Sequence, residues 1–192
     1  MTATLVDRVP TLQGRTCILR ALLAADAPAL QRHADDPAVA HNLFDGFPQP
    51  YTLAQAEAWC GHEHRLPHLG NVWGIAVEAD EIAGCISVAP NAGIWGCSAT
   101  VGYWLGRQHW GRGIVPEALR LVTEWTWQAL PQITRLCAPI YARNAASQAV
   151  ARKAGYVQEG VLPYSILNRG QAIHATVWGS YRPGLPAVRQ AA

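Results

Sequence analysis

A chain of 192 residues is long enough for one domain with a real core, and a composition half hydrophobic and only 15% charged excludes a disordered chain. A formal net charge of +2 without any Lys/Arg block argues against a nucleic-acid surface. No window reaches the ~18 apolar residues of a membrane span, and an N-terminus with Asp7 and Pro10 lacks the apolar core of a signal peptide.

In chain order, residues 15–20 read as a short strand. Asp26 is placed to cap a helix whose first turn holds Pro28, and Asp35-Asp36-Pro37 breaks it. Residues 41–51, with Gly46, Pro48 and Pro50, are a loop. Thr52 caps a second helix that sets Leu53, Ala56, Trp59 and Cys60 on one face. Residues 72–78 and 82–88 form a hairpin around Ala79-Asp80-Glu81, residues 90–93 a loop, and residues 100–105 a third strand. Residues 114–130 are the longest helix, burying Ile114, Val115, Ala118, Leu119, Val122 and Trp125. Pro116 is tolerated in its first turn, and Pro131 ends it.

Residues 133–140 are a strand, and Asn144 caps a short helix that runs to Lys153 and stops at Gly155. Residues 156–166 and 172–181 are two last strands, joined by a turn across Asn168-Arg169-Gly170. The order β-α-α-β-β-β-α-β-α-β-β is that of a mixed α/β sheet packed by helices. Residues 1–182 read as one domain, and the stretch from Arg182-Pro183-Gly184 to Ala192 as a frayed tail.

Five scattered cysteines (Cys17, Cys60, Cys85, Cys97, Cys137) include no Cys-x-x-Cys. They read as buried free thiols of a reducing cytoplasm. His62, Glu63, His64 and His68 beside Cys60 have a metal-binding look, but they follow a helix near Pro67 and Gly70 and read as a solvated helix end. No metal is expected.

The segment Gln108-His109-Trp110-Gly111-Arg112-Gly113 lies between a strand and the longest helix. Its glycines let the backbone turn sharply and approach a ligand, and the helix behind offers unpaired N–H groups and a positive dipole end. A phosphate or pyrophosphate is the expected guest. A dinucleotide fingerprint fails, because Pro116 stands where a third glycine is needed and the next strand ends without an acid. A P-loop fails for want of Gly-Lys-Ser/Thr. A plain glycine turn is the remaining structural reading.

Here the chain resembles the GNAT acyltransferase superfamily. Gln108, Gly111 and Gly113 match its Gln/Arg-x-x-Gly-x-Gly/Ala signature. Asn144-Ala145-Ala146-Ser147 and Lys153-Ala154-Gly155-Tyr156 are similar to its second block. Gly102-Tyr103-Trp104-Leu105, Trp110-Gly111-Arg112-Gly113 and Phe47-Pro48-Gln49-Pro50-Tyr51, with Ala56 and Trp59, resemble the Rim-type branch, which includes ribosomal-protein N-terminal acetyltransferases. The resemblance implies a twisted mixed sheet of about seven strands flanked by about four helices, with acetyl-CoA (coenzyme A) as co-substrate and a primary amine, a protein N-terminus or a small amine, as acceptor. It also implies two adjacent parallel strands that splay around the pantetheine. A homodimer would be ordinary for such a domain.

By the same resemblance, backbone groups of Trp104 and Leu105 hold the pantetheine amides and supply the oxyanion donor. The loop Gln108, Trp110, Gly111, Arg112, Gly113 and Ile114 grips the pyrophosphate, while Asn144 and Lys153 complete the cofactor site. Arg112 is equally well a solvated loop arginine, and capping alone explains Asn144. Ser147 is the candidate general acid, because Ala151 stands where many relatives carry a tyrosine. Thr100 replaces a glutamate base, leaving His174, His109 or a water chain open. That loss favours an α-amine, with pKa near ~7.8, over a lysine near ~10.4. Trp59 and Trp110 are placed near the cleft, which suits a peptide-like or amphipathic acceptor. The competing class is a non-catalytic acyl-CoA-binding or regulatory module.

Overall fold

The computed structural model describes residues 9–61 and 70–186. Its strands are β1 (Leu12–Gln13), β2 (Ile18–Arg20), β3 (Asn71–Ala76), β4 (Ile82–Pro90), β5 (Ser98–Leu105), β6 (Arg135–Tyr141), β7 (Val157–Asn168) and β8 (Gln171–Tyr181). Its helices are α1 (Ala27–Ala34), α2 (Pro37–Ala40), α3 (Leu53–Gly61), α4 (Ile114–Ala129) and α5 (Ala145–Lys153). One mixed sheet takes all eight strands in the order β1-β2-β3-β4-β5-β6-β8-β7. Every described pairing is antiparallel except β5 with β6.

The sheet is covered on both faces where its sequence is most apolar. All six residues of β3 are buried, as expected of a central strand with helices on either side. One core packs α4 and α5 onto the sheet; Trp73 meets Trp125 edge-on there, ring centroids 4.8 Å apart. The six residues read as the buried stripe of α4 are all buried. A second core packs α1 and α3 onto the other face around Leu30, Ala56 and Ile82.

Several local expectations change. Asp26 precedes α1, but its carboxylate turns away from it, to the Arg20 guanidinium at 2.8 and 2.9 Å and the Leu23 amide at 2.7 Å. A nearly buried arginine needs that carboxylate more than a helix start whose N–H groups can find other acceptors does. Asp36 is the aspartate that caps a helix, accepting the Ala38 amide at 2.8 Å. Thr52 and Gln55 exchange bonds as a capping box, Thr52 N–H to Oε1 at 2.7 Å and Gln55 N–H to Oγ1 at 3.3 Å. Leu53, the first residue of α3, is 45% exposed while Ala56 and Cys60 on the same face are buried. Cys17, Cys60 and Cys85 are buried free thiols, but Cys97 is exposed.

Arg182 is not frayed. Its guanidinium donates to the carbonyls of Trp127, Leu130 and Ile133 at 2.5, 2.7 and 2.9 Å, closing the C-terminal end of α4. Residues 62–69, with His62, Glu63, His64 and His68, lie outside the described residues, as do 1–8 and 187–192. Among the described residues no helix is long and apolar enough to cross a membrane.

Candidate active site

β5 and β6 stay together for three residues only: Ser98, Ala99 and Thr100 pair with Arg135, Leu136 and Cys137. Beyond that, β5 follows β4 to Leu105 while β6 follows β8 to Tyr141, so the parallel strands part around a gap. Strand alternation says what faces it. The Gly106 N–H donates to the Ala83 carbonyl at 2.7 Å, which makes Gly106, Trp104 and Gly102 the residues bonded to β4. The N–H and C=O groups of Tyr103 and Leu105 therefore point into the gap. One expectation is corrected: the backbone of Trp104 belongs to its partner Cys85, and Tyr103 takes its place on the rim. The Leu105 carbonyl accepts the Trp110 indole N–H at 2.7 Å.

After Gly106 the chain makes a 3-10 turn (Arg107–His109) and then the glycine bend. Gly111 and Gly113 sit at φ 76° and 78°, a left-handed conformation that side chains resist. Gly113 is the N-cap of α4 and supplies no side-chain acceptor, so the first amides of the helix are left for a guest. Glu117, the acid of the first turn, faces elsewhere, accepting the amides of Arg15 and Thr16 at 3.0 and 2.7 Å.

A cavity of about 180 Å³ joins this loop to α5. Gly111, Gly113 and Ile114 line one end, Tyr103 and Leu105 the middle, and Asn144 and Ser147 the far side. The Asn144 Oδ1 accepts the Ser147 amide at 3.1 Å, capping α5. The Ser147 hydroxyl lies 2.9 Å from the Tyr103 hydroxyl, which also donates to the Ser147 carbonyl at 3.2 Å. Burial pushes the Tyr103 phenol up to about 12, so it keeps its proton at neutral pH.

The side chains of Gln108 and Arg112 brace the loop from behind. The Arg112 guanidinium pairs with Glu78 and lies 3.3 Å from His109 Nδ1, while Gln108 Nε2 lies 3.1 Å from His109 Nε2. His109 stacks edge-on against His33, whose Nε2 is 2.8 Å from Glu81. Burial, with His33 and Arg112 beside it, holds His109 below its ordinary 6.5. Potential ligand atoms of His33, Glu81 and His109 lie within 4.8 Å of one another. Both His109 nitrogens already face donors or acceptors, and the Arg32 and Arg112 guanidinia flank the group, so it reads as a hydrogen-bonded brace rather than a cation site.

On the α1/α3 face a second cavity, of about 420 Å³, is walled by Phe47, Tyr51, Trp59, Cys85 and Trp104 among others, and it shares Leu43, Tyr103 and Trp104 with the first. Trp59 and Trp110 thus line different cavities, one each.

The model of the GNAT acetyltransferase domain matches residues 17–157, well over half of the chain. The chain belongs to the GNAT acetyltransferase family. The probable N-acetyltransferase YjcK of Bacillus subtilis is 39% identical over 64 residues, which cover 33% of this chain and 35% of YjcK. The chain thus spans about a third of that relative's length. An acetyltransferase structure from T. thermophilus superposes with TM-score 0.74 at 26% identity, covering 92% of each chain. RimL, a ribosomal L7/L12 α-N-protein acetyltransferase in complex with coenzyme A, superposes with TM-score 0.76 at 20% identity over 90% of this chain and 98% of its own. The mixed sheet with helices on both faces is the GNAT fold, here with eight strands and five helices among the described residues.

Set against the GNAT pattern, not every residue singled out in the sequence meets the cavity. Ala151 is fully buried in the α4/α5 core and supplies no hydroxyl. Lys153 closes the nine-residue α5, roughly 13 Å from its start, and its carbonyl accepts from Arg120 at 3.0 Å. The Thr100 hydroxyl donates to Asn91 Oδ1 at 3.0 Å. His174 is exposed on β8 and accepts the Tyr164 amide at 3.1 Å, away from both cavities. His109 lines the smaller cavity but is bound into the brace. Sequence reasoning missed the partnership of Tyr103 with Ser147 and the wall formed by Ala38, Val39 and Asn42. Alternation along β5 puts Tyr103 on the same face as Leu105 and was the available signal for the first. The wall comes from a distant segment without a motif.

Proposed function

We propose that the protein is an acetyl-CoA-dependent N-acetyltransferase that passes the acetyl group directly to a primary amine while both are bound. The carrying observation is continuity: the cavity runs without a break from the Gly111–Ile114 end to the amide of Leu105 and the Tyr103–Ser147 pair. Its parts fit the donor. The helix-start amides and the glycine bend, with open space where a Cβ of Gly111 or Gly113 would lie, suit a pyrophosphate. The gap-facing groups of Tyr103 and Leu105 suit the amides of a pantetheine, as strand addition to an open edge. RimL, which shares the fold, is described with coenzyme A bound.

Acetyl-CoA supplies an activated acyl carbon. The chain's own task is to orient it, offer the Leu105 N–H to the oxygen that gains charge, and return a proton to the departing sulfur. Ser147 gives that proton and Tyr103 stands behind it as the second donor. The exposed Arg112–Glu78 pair is screened and weak, so Arg112 is free to turn toward a phosphate. Thr100 is committed to Asn91 and no carboxylate stands among the described lining residues of either cavity, which favours acceptors of low pKa such as an α-amine. The Rim-type motifs and the fold shared with RimL support a protein N-terminus among the candidate acceptors.

Thiol release from acetyl-CoA against a panel of amines tests the reading. Tyr103→Phe and Ser147→Ala are each expected to lower kcat roughly tenfold with acetyl-CoA affinity nearly unchanged. The effect is modest because a thiol of pKa ~8.5 already leaves readily. Acetyl-CoA binding without thiol release against any amine would assign the chain to the non-catalytic, acyl-CoA-binding class instead.

A further inference from the structure

The larger cavity has a chemical character of its own. Its walls are mostly aromatic or aliphatic, Phe44, Phe47, Tyr51, Trp59 and Trp104 among them, with Gln55 and Ser87 as neutral polar members, and none of the described lining residues is Asp, Glu, Lys, Arg or His. The titratable side chains that face it are Cys85 from β4 and Tyr51 from the loop before α3; Tyr103 also lines it, but its hydroxyl is held at Ser147 beside the smaller cavity. Burial raises the Cys85 thiol, and the Tyr103 phenol stays protonated. The carboxylate closest in sequence to this wall, Asp45, is turned to Asn168 and to the Arg169 amide, at 2.8 and 2.7 Å. That tie, and the bond from the Tyr141 hydroxyl to the Leu43 carbonyl at 3.1 Å, hold the loop wall in place.

A guest in such a cavity gains from burying apolar surface, and an ammonium there finds no carboxylate counter-ion among the described lining residues, which favours the uncharged amine. The two cavities share Leu43, Tyr103 and Trp104 in their linings, and that shared wall is where a guest's amine would meet the acetyl donor. We infer that the acceptor is a primary amine carried one or two carbons from an aromatic ring, and that the cavity, rather than a carboxylate base, selects it as the uncharged free base. This rests on the acetyltransferase reading and narrows it. The ring comes either from a small arylalkylamine or from the first side chain of a peptide.

The test compares phenethylamine, phenylalaninamide and a peptide with N-terminal Phe against alaninamide, spermidine and a peptide with N-terminal Asp, at saturating acetyl-CoA. The aromatic set is expected to show kcat/KM at least tenfold higher, rising with unit slope in pH up to each acceptor's own pKa. The small amine and the peptide arms then show which source is preferred. Trp59→Ala is expected to cut the aromatic preference to about twofold. Gly102→Val fills the same cavity from β5, where an added Cβ meets only the Ser87 hydroxyl at an ordinary 3.5 Å, and is expected to do likewise. Spermidine or the Asp peptide as the best substrate, or an aromatic preference that survives both substitutions, overturns the inference while leaving the acetyltransferase reading intact. Absence of thiol release with every amine overturns that reading instead. Calorimetry with phenethylamine then decides the inference: binding that weakens as pH falls and is lost in Gly102→Val supports it, and no binding overturns it.

Discussion

Gly113 shows how much one residue can decide. At φ 78° it sits where a β-branched side chain is strained, yet an added Cβ would touch nothing within 4 Å. A Gly113→Val protein is therefore expected to fold with a loss of about 1–3 kcal/mol of stability and to bind acetyl-CoA at least tenfold more weakly by calorimetry. Normal affinity would remove the loop from the cofactor site. His109 makes a prediction of the opposite kind, about protons. Its folded pKa lies below 6.5, so between that value and 6.5 the unfolded chain holds a proton that the folded chain lacks. Its stabilising contribution is complete above pH 6.5 and is lost as pH falls through the window. The urea midpoint should drop between pH 7.5 and pH 5.5, and less so in His109→Gln; equal slopes would put the acid sensitivity elsewhere. The carboxylates held below their usual 4.5, Glu81 and Glu117 among them, contribute only further down the scale. At this scale the left-handed loop glycines and the Asn144 cap were legible, because each answers to local backbone chemistry, whereas Ser147 was singled out only by the family resemblance. The brace of His33, Glu81 and His109 was not, since it joins residues from three distant segments.

At the scale of elements, α4 was the most legible, for sixteen residues with a 3.6-residue apolar period leave little choice of face. Its end at Pro131 was read correctly, but not what closes it. Pro131 stops the helix, but the last-turn carbonyls still need donors, and Arg182 reaches them from beyond β8. Arg182→Ala is expected to cost about 2 kcal/mol, read as a lower urea midpoint with an unchanged slope. No loss of stability would mean that water serves those carbonyls as well. α3 teaches the complementary lesson. Helical spacing put Leu53 on the buried face with Ala56 and Cys60, but at the first residue of the helix it lies beyond the packed core and is 45% exposed. Periodicity gives a direction around a helix, and only packing says how far along it the core extends.

For the whole molecule the decisive feature is the parting of β5 from β6 after Thr100 and Cys137. It opens an edge in the middle of a sheet, with the amides of Tyr103 and Leu105 turned into it and that of Trp104 turned away. Acetyl-CoA is expected to slow amide hydrogen exchange at Tyr103 and Leu105 and to leave Trp104 nearly unchanged. Protection of Trp104 alone would reverse the alternation and the proposed binding mode. The order of the longer strands and helices, the glycine bend and the caps at Thr52 and Asn144 were determined by the sequence itself, because periodicity, turn chemistry and helix ends act over a few neighbouring residues; the short β1 and α2 and the Asp36 cap were not foreseen. Only the tertiary structure decided which face of β5 meets the gap, which hydroxyl stands beside Ser147, and that the larger cavity has no charged side chain among its described lining residues. Those depend on register and packing between segments tens of residues apart, and local propensity carries no information about them.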